Sequence, residues 1–535
     1  MVRQVTAPIL GSVAWSASVA MLPIMVLFIL LGVSGWRAER AAAALLTSVA
    51  VAVAGYGTTL LPTLDMVLFG AAFGLVAVVW VILNALWIYN VTVASGHFDA
   101  LRSAFDRIGG PAPVQVLLIA YCFGGLLEGL IGAGAPVAIC AAMLVAIGIP
   151  PLKAAVCALI ADSVPVAFGT LALPIVSLSS STGLSVEVLG RMVGRQTPLL
   201  AALVPFILLF LVDGWRALKA YGWIASSAGL SFGTMQFLVS NFLSVRLADV
   251  LAALVSSAVL ALLARYARAE ANLTLSTRPV RDVSKVVAGS FSGLVPYLLI
   301  VIVFVAAQLP AIDTMLKRGR FRLDWPGLSV ALADGTKVPT ILTIDVLGTT
   351  GTLLLLAGLL TVFVLRIAPQ QAWRSYRDTA RQIGSATLTV MAIFALAYVS
   401  NLSGQTRTMG LLLAGLGPTG FALASPLIGW IGSALTGSDS SSNVLFGNLQ
   451  VVAAKQVGIS PVLAAASNSS GGVVAKAISV QSLAVASATV SLVGQEAAIL
   501  RRVIGWSLML LVLMCLLSLA ESLPVVAAWL VPPDS

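Results

Sequence analysis

Charged residues are scarce in this sequence. Only 9% of its 535 residues are Asp, Glu, Lys or Arg, and 59% are hydrophobic, whereas soluble proteins carry about 25% charged residues. Uncharged runs of the size that a membrane-spanning helix needs, roughly 20 residues, recur along the chain. The composition therefore excludes an ordinary soluble domain and predicts an all-α polytopic membrane protein with about 12–14 membrane-crossing or re-entrant elements.

Groups that support catalysis or metal binding are also scarce. The single histidine, His97, lies in a polar segment without metal-ligating neighbours, and the four cysteines form no C-x-x-C pair. No P-loop is present, so ATP bound by this chain is not expected to drive its activity. We therefore expect no enzyme, no metal site and no cofactor.

The net charge of +10 has a membrane explanation. Lys and Arg gather in short loops between apolar runs, which is the positive-inside pattern rather than a nucleic-acid-binding surface. Placing these loops in the cytoplasm puts both termini outside. The loop from Pro310 to Asp345 also falls outside although it holds five basic residues; the acidic residues Asp313, Asp324 and Asp334 within it weaken that conflict.

A short motif occurs twice in the chain. "IGIPPLKAA" (147–155) and "VGISPVLAA" (457–465) are identical at five of nine positions and lie 310 residues apart. A break rich in small or polar residues precedes each copy, and a second break follows it. Paired interruptions of apolar segments in the two halves of a transporter point to its binding site. Small residues that merely let helices pack closely are the alternative explanation.

Each of the four breaks carries one ionisable residue. They are Glu128 in "LLEGLIGAGAPV" (126–137), Asp162 in "IADSVPVAFGT" (160–170), Asp439 in "LTGSDSSSNVLF" (435–446) and Lys476 in "SNSSGGVVAKAIS" (467–479). A charge at the centre of a spanning helix costs roughly 2.5–3.5 kcal/mol on insertion scales. The placement of all four in breaks therefore predicts a shared polar cavity.

These residue types suggest two chemical roles. Helix N-termini at the breaks offer N–H groups to an anion such as a carboxylate, and nearby hydroxyls and amides can orient a small polar substrate. A carboxylate removed from water can take up a proton near neutral pH, so Glu128, Asp162 and Asp439 are candidate proton-coupling residues. Lys476 is a candidate partner for a substrate carboxylate or for a protein acid such as Asp439.

Several stretches occur in the order found in one transporter family. They are "EGLIGAGAPVAI" (128–139), "PVAFGTLALPI" (165–175), "MVGRQTP" (192–198), "DGWRALK" (213–219), "VSNLSG" (399–404), "LTGSDSSSNVLFGNLQ" (435–450) and "SNSSGGVVAKAISVQSLAVA" (467–486). Through them the chain resembles the lactate permeases over nearly its whole length. The resemblance implies import of lactate or glycolate with protons across the bacterial inner membrane, with a small carboxylate and the lipid bilayer as partners.

The resemblance also implies two inverted repeats, each with a re-entrant hairpin and a broken helix. It divides the chain into a first half at 1–265, a connecting helix and loops at 266–345, and a second half at 346–535. The hairpins are expected near 126–150 and 435–455, and the broken helices near 154–175 and 461–486.

Motif by motif, the family's acid falls on Glu128 and its Gly-Ser-Asp on 437–439. Its basic residue before Ile-Ser falls on Lys476, with Gln481 following. Together with the polar groups of the breaks, the candidate substrate-binding residues are Gly134, Gly437, Ser438, Ser440, Ser441, Asn443, Asn468, Ser469, Lys476 and Gln481.

Three positions depart from the family pattern. The segment "GLIGAG" after Glu128 lacks the family's usual aromatic residue, Asp162 stands where Asn is usual, and Val480 stands where Pro is usual. The nearest alternative function is a sodium-coupled carrier of di- or tricarboxylates on a related fold. A channel is a further alternative, although acids within the breaks favour coupled transport.

Overall fold

Helices make up most of the computed structural model of the protein, which describes residues 2–33, 37–98, 110–132, 134–271, 283–332 and 335–533. Most of the polar segment after His97 and the basic segment near 272–282 lie outside these residues.

The helices follow one another with short connections. Those before residue 150 are Val13–Ala20, Leu22–Val33, Arg37–Ala50, Leu60–Gly74, Trp80–Ala94, Ala112–Val116, Gly124–Leu130 and Ala135–Ala146, with π-helical turns at Val51–Gly55, Leu75–Val79 and Leu117–Phe123. The next are Pro151–Asp162, Gly169–Thr182, Val186–Phe242, Ala248–Ala271 and Val283–Ala306, with 3-10 turns at Val166–Phe168 and Val245–Leu247. The last are Pro310–Lys317, Thr350–Val364, Pro369–Gln382, Gly384–Ser403, Gln405–Ala414, Gly417–Thr436, Asp439–Val457, Pro461–Ala475, Val480–Thr489, Glu496–Ser522 and Pro524–Leu530, with a 3-10 turn at Lys476–Ile478.

Eight helices of the described chain are long and apolar enough to cross a membrane, or up to ten if each of two bent pairs is one span. The multi-span helical class is therefore confirmed. This count is lower than the 12–14 elements expected, because breaks leave four apolar helices too short to qualify as spans. These are Val13–Leu27, Ala41–Gly55, Ala135–Ala146 and Thr350–Val364.

The longest helix, Val186–Phe242, folds back on itself. Its backbone is non-helical at Asp213 and Gly214. Gly190 then packs against Val245, and Gly233 against the backbone of Pro198. The segments before and after this break therefore run antiparallel and lie side by side.

Two hairpins carry candidate residues at their tips. In the second hairpin, Gly417–Thr436 packs antiparallel to Asp439–Val457, because Ser442 Oγ donates to Gly429 O at 3.1 Å and Gln450 Nε2 donates to Ser425 O at 3.1 Å. Gly437 forms the tip at φ +76°, a conformation that glycine adopts without strain.

The first hairpin comprises the described residues 112–132 and 134–146. Cys140 Sγ, on its returning helix, contacts Ile119 O at 3.3 Å on the outgoing one. Its tip lies between Leu130 and Ala135, where Gly134 is also left-handed at φ +83°.

Two interrupted helices repeat one backbone pattern. The first interrupted helix is Pro151–Asp162 followed by Gly169–Thr182, and the second is Pro461–Ala475 followed by Val480–Thr489. Each begins with proline, each has a 3-10 turn, and each turn ends at an extended residue. Gly169 (φ −57°, ψ 148°) and Ser479 (φ −64°, ψ 143°) are these residues. They lie 310 residues apart, which is the offset of the sequence motif.

Two small sheets lie at one end of the bundle and were not foreseen from the sequence. Val2–Arg3 pairs in parallel with Val330–Ala331, which pairs with Lys337–Val338. Arg320–Asp324 pairs antiparallel with Ile341–Asp345. The first sheet ties the N-terminus to the 310–349 loop, so both lie at the same end of the bundle.

Close packing at Gly472 gives a test of this arrangement. A Cβ there would collide with Asp439 Oδ1 and Ser433 Oγ. We expect Gly472→Ala to destabilise the protein by roughly 1–3 kcal/mol, as overpacking does, and to lower the melting temperature in detergent. Gly505→Ala is the matched control, because no atom lies within 4 Å of a Cβ built there. Equal melting temperatures for the two variants would contradict the packing described.

Candidate functional site

A buried ion pair joins the two halves of the chain. Glu128, on the helix before the first hairpin tip, accepts a hydrogen bond at Oε1 from Lys476 Nζ at 3.1 Å. Lys476 begins the 3-10 turn of the second interrupted helix. Both side chains are buried, with 3% and 8% of their surface exposed. The sequence had suggested Asp439 as the partner of Lys476; the structure places Glu128 there.

Asp162 adds a second carboxylate to this pair. It ends the first part of the first interrupted helix, and its carboxyl group interacts electrostatically with Glu128 and Lys476. Neither oxygen of Asp162 has a hydrogen-bond donor in the described part of the chain, and nor does Glu128 Oε2. These three oxygens therefore lie buried in the protein without a donor among the described residues.

Asp439 has a different environment. It is the first residue of its helix, and Ser438 caps that helix by accepting a hydrogen bond from Ser441 N. Its carboxylate accepts hydrogen bonds from Ser469 Oγ at 2.7 Å and Asn443 Nδ2 at 3.1 Å, with Ser433 Oγ at 3.4 Å. The helix N-terminus and these donors hold the Asp439 carboxylate in a fixed position.

Amide side chains extend this network through the second hairpin. Asn443 accepts at Oδ1 from Asn468 Nδ2 at 2.9 Å, and Asn468 Oδ1 accepts from Gln450 Nε2 at 3.0 Å. Asn443 Nδ2 also donates to Pro174 O at 3.1 Å. Three predicted binding residues, Asn443, Asn468 and Ser469, are thus already engaged with protein groups.

The remaining predicted residues lie at the hairpin tips. A Cβ on Gly437 would lie 2.9 Å from Gln481 Oε1, and a Cβ on Gly134 would lie 3.7 Å from Val485. Gln481 and Val485 are one helical turn apart, so both tips meet the second part of the second interrupted helix. Ser440 and Ser441 are half-buried, and within the described residues their hydroxyls have no hydrogen-bond partner.

The first interrupted helix is strained where it meets the first hairpin. Thr170, Leu171 and Ala172 are left-handed, with φ between +47° and +64°. Such a conformation costs roughly 1–2 kcal/mol per residue. Thr170 Oγ1 donates to Ile131 O at 3.1 Å, which ties this bend to the hairpin tip. Strain of this kind is characteristic of functional sites.

Two buried acids were missed in the sequence. Asp249 accepts from Gln236 Nε2 at 2.7 Å and packs where a side chain at Gly129 would lie, next to Glu128. Glu521 accepts from Gln196 Nε2 at 2.7 Å. One oxygen of each acid has no donor in the described chain. Both stand in apolar segments, which was the available signal, but neither lies in a break.

Comparison with known proteins gives the family. A family profile described as L-lactate permease matches residues 16–523. The chain belongs to the L-lactate permease family.

Two relatives and one solved structure illustrate the similarity. L-lactate permease of Bacillus subtilis (strain 168) is 36% identical, covering 99% of both chains. Glycolate permease GlcA of Escherichia coli (strain K12) is 36% identical, covering 93% of this chain and 94% of its own. The YdaH transporter of Alcanivorax borkumensis, a solved structure, is 15% identical over 83% of this chain and 90% of its own, with a TM-score of 0.32.

The family decides the class of activity. The chain is a multi-pass membrane transporter with bacterial relatives, and the expectation that it is not an enzyme is confirmed. The resemblance to the lactate permeases is confirmed as well. The geometry above is therefore the interior of a lactate or glycolate permease-family transporter.

The ion pair can be tested by removing one partner. We expect Lys476→Met to destabilise the protein by about 3–5 kcal/mol, because it leaves Glu128 buried beside Asp162 without a counter-charge. The double variant Glu128→Gln/Lys476→Met should recover much of the lost melting temperature. A double variant as unstable as the sum of its single changes would show that the two residues do not interact.

Proposed function

We propose that the chain imports a small 2-hydroxymonocarboxylate, lactate or glycolate, by proton symport. The main observation that supports this proposal is the cluster in which Lys476 interacts with Glu128, Asp162 and Asp439. Three buried carboxylates share one buried cation. A substrate carboxylate would add a further negative charge to this interior, which is unfavourable unless a cation enters with it. The carboxylates of the cluster can bind a proton, which would be that cation.

Glu128 and Asp162 together are our candidates for the proton site. Three of their oxygens have no donor among the described residues, and the two carboxyl groups interact electrostatically, so a proton shared between them would relieve the repulsion of their charges. Protonation would also weaken the hold of Glu128 on Lys476. The ammonium group would then be available to a substrate carboxylate, which links proton binding to substrate binding.

Asp439 is assigned a positioning role in this proposal. Its donors hold the second hairpin to the second interrupted helix, as Asn443, Asn468 and Ser469 do. The substrate would instead bind to groups that can still form further hydrogen bonds. These are the hydroxyls of Ser440 and Ser441, with Ser438, Gln481 and the tip glycines Gly134 and Gly437 alongside.

The repeated backbone supports an inverted-repeat architecture in a bacterial cytoplasmic membrane. Two interrupted helices of the same pattern, each beside a hairpin, suit alternating access around a central site. The positive-inside rule places the end that holds the N-terminus and the 310–349 loop outside. The halves at 1–265 and 346–535 remain the proposed division.

Reconstituted protein tests the function. We expect proteoliposomes that are acidic outside and more alkaline inside to accumulate labelled lactate or glycolate against its concentration gradient. The accumulation should collapse when a protonophore is added, and an inward sodium gradient alone should not replace the pH gradient. Accumulation driven by sodium, or uptake of citrate or succinate in place of both monocarboxylates, would favour the sodium-coupled carrier instead.

Substitutions at the proposed proton site separate coupling from binding. Glu128→Gln should abolish proton-driven accumulation, while exchange of internal for external lactate continues. Asp162→Asn, which introduces the residue usual in the family, should lower the accumulation without abolishing it. Asp378→Asn, on the exposed helix Pro369–Gln382, controls for loss of an acidic charge. Full proton-driven accumulation by both site variants would remove Glu128 and Asp162 from the coupling mechanism.

A further inference from the structure

A cavity lies at the end of the bundle that holds the N-terminal strand and the 310–349 loop. Its volume is about 590 Å³, and its walls come from the start of Val186–Phe242, the Val245–Leu247 turn and that loop. Four basic side chains and three acidic ones line it. We name it the arginine cavity after Arg191 and Arg246, two of its basic residues.

The other two basic residues of the cavity are already neutralised. Lys317 Nζ lies 2.6 Å from Asp313 Oδ2, and Arg320 Nη2 lies 3.1 Å from Asp345 Oδ2. In the described chain, neither Arg191 nor Arg246 has a carboxylate within ion-pair distance. Glu187 is the third acid, and Ser185 Oγ donates to it at 2.8 Å. With four basic and three acidic side chains, the cavity keeps one net positive charge, because Glu187 interacts with Arg246 and offsets one of the two guanidinium groups.

Arg246 is held in place for anion binding. Its Nε donates to Thr350 Oγ1 at 2.7 Å, which fixes the plane of the guanidinium group. The N–H groups of Nη1 and Nη2 remain, and a guanidinium fork of this kind binds a carboxylate through two parallel hydrogen bonds. The side chain is half-buried, so such a bond would be less screened than one on an open surface.

The cavity reaches the elements that form the candidate site. Val176, which lines it, lies two residues beyond Pro174, whose carbonyl accepts from Asn443. Arg246, which also lines the cavity, lies three residues before Asp249, and Asp249 packs beside Gly129 of the first hairpin. An anion in the cavity would therefore lie against the first interrupted helix, and the chain segment that carries Arg246 connects the cavity to the first hairpin.

We propose that the arginine cavity is a docking site where a small carboxylate binds to Arg246 and Arg191 before it enters the central site. The proposal extends the proposed function, since it names the entry point of the same substrate. The site is distinct in its residues from the cluster around Lys476, and its positive charge would concentrate an anionic substrate at the mouth of the protein.

Arginine-specific labelling tests docking without any need for transport. Purified protein is treated with phenylglyoxal, and modification of Arg191, Arg246 and Arg322 is measured by peptide mass spectrometry. Lactate and glycolate should slow modification of Arg191 and Arg246 but not of Arg322, which is exposed at the same end and does not line the cavity. No protection of Arg246, or equal protection by chloride, would overturn the proposal.

Transport kinetics give the second readout. Arg246→Gln should raise the KM for uptake roughly tenfold, in keeping with the loss of a charge-assisted hydrogen bond, while the maximal rate stays within about twofold. The KM of Arg246→Lys should fall between those of the wild type and Arg246→Gln, and the KM of Arg322→Gln should match that of the wild type. An equal KM shift in Arg322→Gln would point to general surface charge and contradict docking.

The two proposals fail in different ways. If the wild type does not accumulate lactate or glycolate on a pH gradient, the proposed function fails, yet protection of Arg246 still decides whether the cavity binds small carboxylates. If the wild type transports but Arg246 is neither protected nor needed for a low KM, only the docking site fails.

Discussion

The Glu128–Lys476 ion pair is the contact on which the rest of the site depends. It joins the first hairpin to the turn of the second interrupted helix, with Glu128 Oε1 lying 3.1 Å from Lys476 Nζ. Its two residues come from opposite halves of the chain. Removing one partner of a buried ion pair strongly destabilises a protein, yet the intact pair adds little stability over a pair of apolar residues. In the proposed function, the pair would instead serve as a switch that a proton can weaken.

Backbone geometry explains why the charges can meet there. Each interrupted helix stops at a 3-10 turn and an extended residue, which exposes helix ends inside the protein rather than at the membrane surface. Polar backbone at that depth is tolerated only when it is buried in protein or lines a cavity. The left-handed run at Thr170, Leu171 and Ala172 shows that this arrangement holds strained residues in place.

Sequence reasoning found the four ionisable residues in the breaks but could not pair them correctly. The breaks and the 310-residue motif are local patterns, so they show where helices stop. Which charges meet depends on how distant segments pack, and this brought Glu128 rather than Asp439 to Lys476. The same limit hid Asp249 and Glu521. Likewise, the sequence could not show that Asn443 donates to Pro174 or that Asn468 accepts from Gln450, because these contacts come from the tertiary fold.

Proton uptake on substrate binding tests the central claim most directly. Purified protein in weakly buffered solution with a pH indicator is mixed with neutralised lactate or glycolate at a pH where the cluster is ionised. The account predicts that the wild type takes up protons in proportion to bound substrate, and that Glu128→Gln/Asp162→Asn binds substrate without doing so. Substrate binding by the wild type with no proton uptake would contradict it.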